Sequence, residues 1–143
     1  MKSNKGFTLI ELLAVIVILA IIALIATPII LGVIDKARQG SAEQSVLSYI
    51  QAVENQVVIS QLTTDEKDDI TLSGDSNIFT PDDLEGKVSM KGTMPTGGSI
   101  VLDSNGNATS ATCLTIKLNS KDYTVKYDGA GKATAGECTA LTK

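Results

Sequence analysis

Histidine and tryptophan are absent from this chain of 143 residues, and aromatic residues make up only 3 % of it. Without histidine there is no Ser-His or Cys-His pair for nucleophilic catalysis, and two cysteines alone make a poor metal site. No glycine-rich phosphate loop precedes a helix either. We therefore expect a protein that is not an enzyme, with no catalytic residue, no metal site and no cofactor.

A surplus of basic residues is also missing. The chain carries 12 Lys and Arg against 16 Asp and Glu, so its formal net charge is −4. Nucleic-acid-binding domains usually show a basic patch or a high isoelectric point, and we find no clear signal of this kind. With few aromatic residues, the core of the soluble part must be small and built from Val, Ile, Leu and a few Tyr.

The chain does have a long apolar run, from Phe7 to about Leu31, that contains a single charge, Glu11. At about 1.5 Å per residue, a helix of this length crosses a hydrocarbon core of roughly 30 Å. A secretory signal peptide would have a shorter apolar core followed by small residues for cleavage. An acid within a membrane helix is costly, so Glu11 marks a candidate functional site that needs a partner.

The residues from Lys5 to Leu12, Lys-Gly-Phe-Thr-Leu-Ile-Glu-Leu, resemble the class III signal of type IV pilins and pseudopilins. The resemblance implies a leader at 1–6, cut by a prepilin peptidase between Gly6 and Phe7, and N-methylation of Phe7. It also implies that Glu11 pairs with the Phe7 amine of a neighbouring subunit in a filament. The alternatives are an ordinary loop glycine at Gly6 and an acid that snorkels to the headgroups at Glu11.

The apolar helix, which we place at 7–32, contains Pro28 and, four residues later, Gly32. Proline removes one backbone donor and its ring crowds the carbonyl of Leu24, so a kink or local unwinding is expected there. By resemblance, such a proline marks a stem segment that melts when subunits pack into a filament. A simple proline kink is the alternative for a lone monomer, and the two interpretations are compatible.

Beyond Gly32 the pattern becomes amphipathic, which predicts that the helix continues to about residue 61 as the spine of a globular head at 33–143. Apolar or small residues recur at steps of three and four: Ile34, Ala37, Ser41, Val46, Tyr49, Ile50, Val53 and Val57. Polar residues are expected on the other faces: Lys36, Gln39, Glu43, Gln51, Glu54 and Asn55.

The remainder of the head has the pattern of short strands and turns. In the connecting loop at 62–98 we predict a short strand at 70–72 and one helical turn within 79–85. In the region 99–143 we predict an antiparallel meander of three or four strands, built on 100–102, 112–118 and 123–127. Asn105-Gly106 is a strong hairpin signal, and period-2 alternation places these side chains on the face toward the helix: Leu114, Ile116, Leu118, Tyr123, Val125 and Tyr127.

Three other motifs carry little chemistry. Asp103, Asn105 and Asn107 resemble the start of a calcium loop, but the glycine is one place early and no bidentate Glu follows, so a hairpin turn is the better account. Asn107-Ala108-Thr109 fits the N-glycosylation pattern and is left unassigned. The acidic cluster within 65–69 is expected to be a solvated loop.

Cys113 is out of phase with Leu114 and Ile116, so it should point away from the helix. A bond to Cys138 would strap the C-terminal segment over the outer face of the sheet and would stabilise the fold by roughly 3–4 kcal/mol. Export to an oxidising compartment favours pairing. The arrangement also resembles the C-terminal disulfide loop of many pilins. Two free thiols are the alternative.

The predicted fold is therefore α+β and pilin-like, with a long N-terminal helix packed on a small antiparallel sheet. The resemblance implies a subunit of a type IV pilus that polymerises with itself and depends on a prepilin peptidase, an inner-membrane assembly platform and a motor ATPase. The precursor would sit in the cytoplasmic membrane and the mature form on the cell surface. The alternatives are a pseudopilin of a secretion or DNA-uptake system and a membrane-anchored binding domain.

Overall fold

The computed structural model describes residues 6–63, 70–74 and 77–138. The leader before Gly6 and the acidic cluster, both subjects of predictions above, lie outside these ranges. Within these ranges one α-helix, α1, precedes five strands and a short 3-10 helix, which confirms the predicted α+β architecture. The elements are α1 Leu9–Leu62, β1 Asn77–Phe79, the 3-10 helix Asp82–Leu84, β2 Ser99–Leu102, β3 Ala108–Leu118, β4 Lys121–Tyr127 and β5 Ala133–Ala135.

The chain divides into two compact units, Met1–Ala37 and Arg38–Lys143. Helix α1 contributes to both. In the first unit the large apolar side chains are exposed throughout, from Leu9 to Ile34. The helix is not interrupted at Pro28 or Gly32, and the predicted kink stays a prediction.

In the described part of the second unit the strands form an antiparallel meander with the order β1-β2-β3-β4-β5. The predicted strands at 100–102, 112–118 and 123–127 are confirmed as β2, β3 and β4. Strand β3 begins earlier than predicted, at Ala108, and pairs with β2 through the register Ile100↔Ala111. Among the described residues the sheet has five strands rather than three or four, because two three-residue strands, β1 and β5, lie at its edges.

The prediction of a strand at 70–72 was wrong. Ile70 is buried and Leu72 packs against the core, yet neither residue belongs to the sheet. The first strand lies at Asn77–Phe79 instead. The Asn77 side chain accepts a hydrogen bond from the Ser73 backbone amide and donates one to the Gly74 carbonyl, so it ties the start of β1 to these two residues. Apolar residues here fill the core without joining a ladder.

The core lies between one face of α1 and one face of the sheet. The predicted inward residues Leu114, Ile116, Tyr123, Val125 and Tyr127 are all buried. On the helix the burial begins at Ala42, so the predicted inward positions Ile34, Ala37 and Ser41 are wrong, because all three are exposed. The buried helical residues are Ala42, Val46, Tyr49, Ile50, Val53 and Val57.

Two helical glutamates bind the sheet, which corrects the prediction that Glu43 and Glu54 occupy the other faces of the helix. Glu54 Oε1 accepts a hydrogen bond from the Ala108 amide at 2.8 Å, where β3 begins. Glu43 Oε1 accepts one from the Ala135 amide at 2.8 Å, at the end of edge strand β5. Backbone groups at a strand end and at a sheet edge would otherwise lack partners, so these carboxylates secure both to α1.

Two hairpins, β2–β3 and β4–β5, lie at the same end of the meander and share one construction. Asp103 begins the first turn, and its Oδ1 accepts from the amides of Asn105 at 2.9 Å and Asn107 at 2.8 Å. Asp128 begins the second, and its Oδ1 accepts from the amides of Ala130 at 2.8 Å and Lys132 at 3.0 Å. These backbone hydrogen bonds hold the pKa of both carboxyl groups below the usual range, since they favour the charged form.

Candidate assembly site at the start of the helix

Helix α1 begins with a capping box formed by Thr8 and Glu11. Oε2 of Glu11 accepts hydrogen bonds from the Thr8 backbone amide at 2.8 Å and from Thr8 Oγ1 at 2.7 Å. The Glu11 amide lies 3.4 Å from Thr8 Oγ1 and donates to it. Residues spaced three apart at a helix start satisfy each other's unpaired groups in this way. The charge in the apolar run is therefore held by its own chain.

Both hydrogen bonds to the Glu11 carboxylate use the same oxygen, Oε2. Within the ranges that the structure describes, Oε1 accepts no hydrogen bond from another residue. Glu11 faces an open cleft of about 460 Å³ that, among the described residues, is also lined by Gly6, Phe7 and Thr8. Phe7 is 91 % exposed. The predicted cleavage, methylation and assembly residues thus lie around one cleft.

A second polar feature of the apolar segment lies beside Pro28. Thr27 Oγ1 donates a hydrogen bond to the Ala23 carbonyl at 2.7 Å, one position before the carbonyl of Leu24 that Pro28 leaves without its helical donor. Hydroxyls that bond back to the fourth preceding carbonyl tend to bend helices. We therefore expect Thr27 and Pro28 together to weaken this turn of the helix. The signal in the sequence was a Thr-Pro pair in an apolar run.

Cys113 and Cys138 form the predicted disulfide, with a Cα–Cα distance of 5.5 Å. Cys113 lies at a register shift between Ala111 and Leu114 and adopts a φ of +54°. It is not part of the hydrophobic core between α1 and the sheet. The bond attaches the chain beyond β5 to β3, and the Gly136 amide adds a hydrogen bond to the Thr124 carbonyl at 3.0 Å.

The calcium-like stretch forms the predicted hairpin turn. Asp103 Oδ2 lies 3.2 Å from Asn107 Nδ2, which donates to it, so both carboxylate oxygens are engaged within the turn. No group of three or more acidic, cysteine or histidine side chains suited to a metal ion occurs in the described part of the chain.

Residues 1–27 match the family model of the prokaryotic N-terminal methylation motif. This motif is the class III signal peptide of type IV pilins. The match supports a type IV pilin-like or pseudopilin protein. Comparisons with curated proteins and with solved structures give no match for this chain.

The signal motif and the N-terminal apolar helix support a precursor that is anchored in a membrane. By length and composition, α1 could span a membrane, and none of its most apolar window is buried within the protein. The motif also points to a structural subunit rather than an enzyme. The roles predicted for Gly6, Phe7 and Glu11 stay predictions. The sequence analysis missed the capping role of Thr8, which the pattern Thr-x-x-Glu before an apolar run indicates.

Proposed function

We propose that this pilin-like chain is a structural subunit of a type IV pilus. A prepilin peptidase cuts between Gly6 and Phe7 and methylates the new amine of Phe7. The mature subunit then leaves the membrane, and its apolar helix packs with the helices of other copies. Heads coat the outside of the filament. An inner-membrane platform and a motor ATPase supply the work, and the filament ends on the cell surface.

The observation that carries this proposal is Glu11 at the start of a helix whose large apolar side chains are exposed. An exposed apolar helix needs either lipid or other helices around it. A carboxylate buried among such helices needs an opposite charge. The Phe7 amine of a neighbouring copy supplies that charge, and Oε1 of Glu11 can accept from it while Thr8 retains Oε2.

Processing tests the proposal directly. Protein recovered from sheared surface filaments should begin at Phe7, and its intact mass should include one methyl group on that amine. The variant Gly6→Val should remain at precursor mass in the membrane fraction, because a branched side chain hinders close approach of the peptidase to the backbone. Gly32→Val, the same substitution at the far end of the apolar helix, should still be cut. Assembled protein that begins at Met1 would refute the proposal.

The pseudopilin of a secretion or DNA-uptake system is the alternative within the same class, since the methylation motif is common to both. The strapped C-terminal segment favours the pilin, because a head exposed at the cell surface gains from a cross-link. Electron microscopy of sheared cells with subunit mass spectrometry separates the two. Long surface filaments made of this chain support the pilin, and their absence with normal processing supports the pseudopilin.

A further inference from the structure

We propose that Asn105 is a site of spontaneous deamidation, and that the Asp103 carboxylate controls the rate by holding the hairpin tip closed. Asn105 is exposed at the tip of the β2–β3 hairpin. The residue that follows is Gly106, and this is the one Asn-Gly pair in the sequence. Glycine leaves its backbone nitrogen unhindered, because it has no side chain beside the site of attack.

The reaction is an intramolecular substitution followed by hydrolysis. The Gly106 backbone nitrogen loses its proton to solvent base and attacks Cγ of Asn105. The new C–N bond closes a five-membered succinimide, the bond from Cγ to Nδ2 breaks, and ammonia leaves with one proton. Water then adds to either ring carbonyl and opens the ring to aspartate or isoaspartate. Water is consumed, ammonia is released, and the position gains one negative charge.

The native turn opposes this attack. The Gly106 amide donates to the Asp103 carbonyl at 3.1 Å, so the nucleophile is occupied. The Asp103 side chain holds the amides on both sides of it, those of Asn105 and Asn107. Ring closure requires the Gly106 nitrogen to release its acceptor and turn toward Cγ. The rate therefore follows the fraction of time the tip is open.

The same hairpin contains an internal control. Asn107 is also exposed, but Ala108 follows it and carries a Cβ atom. The Ala108 amide donates to Glu54 Oε1 at 2.8 Å, which ties this nitrogen to α1. Asn107 should keep its amide while Asn105 reacts, although the two residues experience the same solvent.

Isoaspartate at position 105 would disturb the packing of the hairpin. It adds one carbon to the main chain directly before Gly106, and a side chain on Gly106 would already collide with Val57. The tip would therefore have to move away from the helix. The extra charge would also lie next to Asp103. Protein that has aged should accordingly have a β2–β3 hairpin tip that carries more negative charge and packs less tightly against α1.

The test uses the full-length chain in detergent, incubated in mildly alkaline buffer and followed by peptide mass spectrometry. Asp103→Ala should raise the rate at Asn105 on the order of tenfold, because it removes hydrogen bonds that close the tip. Asp128→Ala breaks the equivalent turn of the β4–β5 hairpin and should leave that rate unchanged. The wild-type rate should lie below that of the urea-unfolded chain.

Three results would overturn the proposal. The first is that Asn105 keeps its amide in Asp103→Ala. The second is that Asn107 reacts as fast as Asn105 in the wild type. The third is that the folded and the unfolded chain react at equal rates. If Asp103→Ala fails to fold, as circular dichroism would show, the wild type still decides. In the wild type the deamidation rate at Asn105 must exceed the rate at Asn107 by more than about tenfold. The reason is that Asn105 is followed by Gly106, which has no side chain, whereas Asn107 is followed by Ala108.

Discussion

Gly106 packs directly against Val57, and a Cβ atom at Gly106 would lie 2.4 Å from Cγ1 of that valine. Gly106 also has a φ of +88°, a conformation that favours glycine. The β2–β3 hairpin can therefore pack against α1 only if the residue at this position has no side chain. Val57 is the last buried residue of the helix, so the contact closes one end of the core.

Gly106→Ala should destabilise the head by about 3 kcal/mol, because it combines a left-handed backbone with a steric collision. Gly131→Ala is the matched control in the β4–β5 hairpin. Its φ is +93°, but a Cβ there would meet no atom within 4 Å, so about 1 kcal/mol is expected. Thermal unfolding measures both. Equal losses would show that Val57 does not resist the added methyl group.

A chain that lacks residues up to about 31 should be a soluble, folded monomer. The buried helical residues begin at Ala42, so the core of the second unit is complete without the apolar segment. The removed surface is apolar and exposed, and it serves lipid or other subunits. Circular dichroism and gel filtration measure the result. An insoluble or unfolded product would show that the head depends on the removed segment.

The apolar helix and the central strands could be predicted because each is marked by a pattern of neighbouring residues. The apolar run and the residue types around Glu11 identified the helix start, and alternation with the Asn105-Gly106 turn identified β2 and β4. The start of β3 at Ala108 was missed because Ala-Thr-Ser-Ala has no alternating apolar pattern. Strands β1 and β5 were missed because three residues are too few to show a period.

Other features depend on residues far apart in the sequence. Glu54 and Ala108 are 54 residues apart, and Glu43 and Ala135 are 92 apart. A charged residue on a helix normally indicates a solvent-facing position, so the single sequence predicted the wrong role for both glutamates. The disulfide could be anticipated because only two cysteines were available to pair.

Stability of the head should fall below about pH 4, in part through Asp103 and Asp128. Backbone hydrogen bonds lower the pKa of both groups in the folded state. Their contribution is therefore complete above the unfolded value of about 3.9 and is lost as the pH falls through the folded pKa. Chemical unfolding at several acidic pH values measures how the free energy of unfolding depends on pH. The double variant Asp103→Asn/Asp128→Asn should flatten this pH dependence.

Replacing Cys113 or Cys138 by serine should lower the stability of the head by about 3 kcal/mol, since their sequence separation is 25. Hydrogen exchange should rise first in β5 and in the residues that follow it. Exchange in β2 should change less, because that strand does not carry the cross-link. A uniform increase in hydrogen exchange across the whole sheet would contradict a disulfide that stabilises only the C-terminal segment. Full alkylation of the exported protein before reduction would show that the bond does not form.

The pairing of Glu11 with a neighbouring Phe7 amine is tested most directly by the ratio of filament-associated to membrane-bound protein. Glu11→Ala removes the charge and the cap, whereas Glu11→Gln retains an acceptor for Thr8 and removes only the charge. Both variants should reach the membrane, because an uncharged helix is a better membrane helix. Both should lower the ratio by about tenfold or more, since the amine is buried without its counter-charge. A wild-type ratio in Glu11→Gln would contradict the charge pairing.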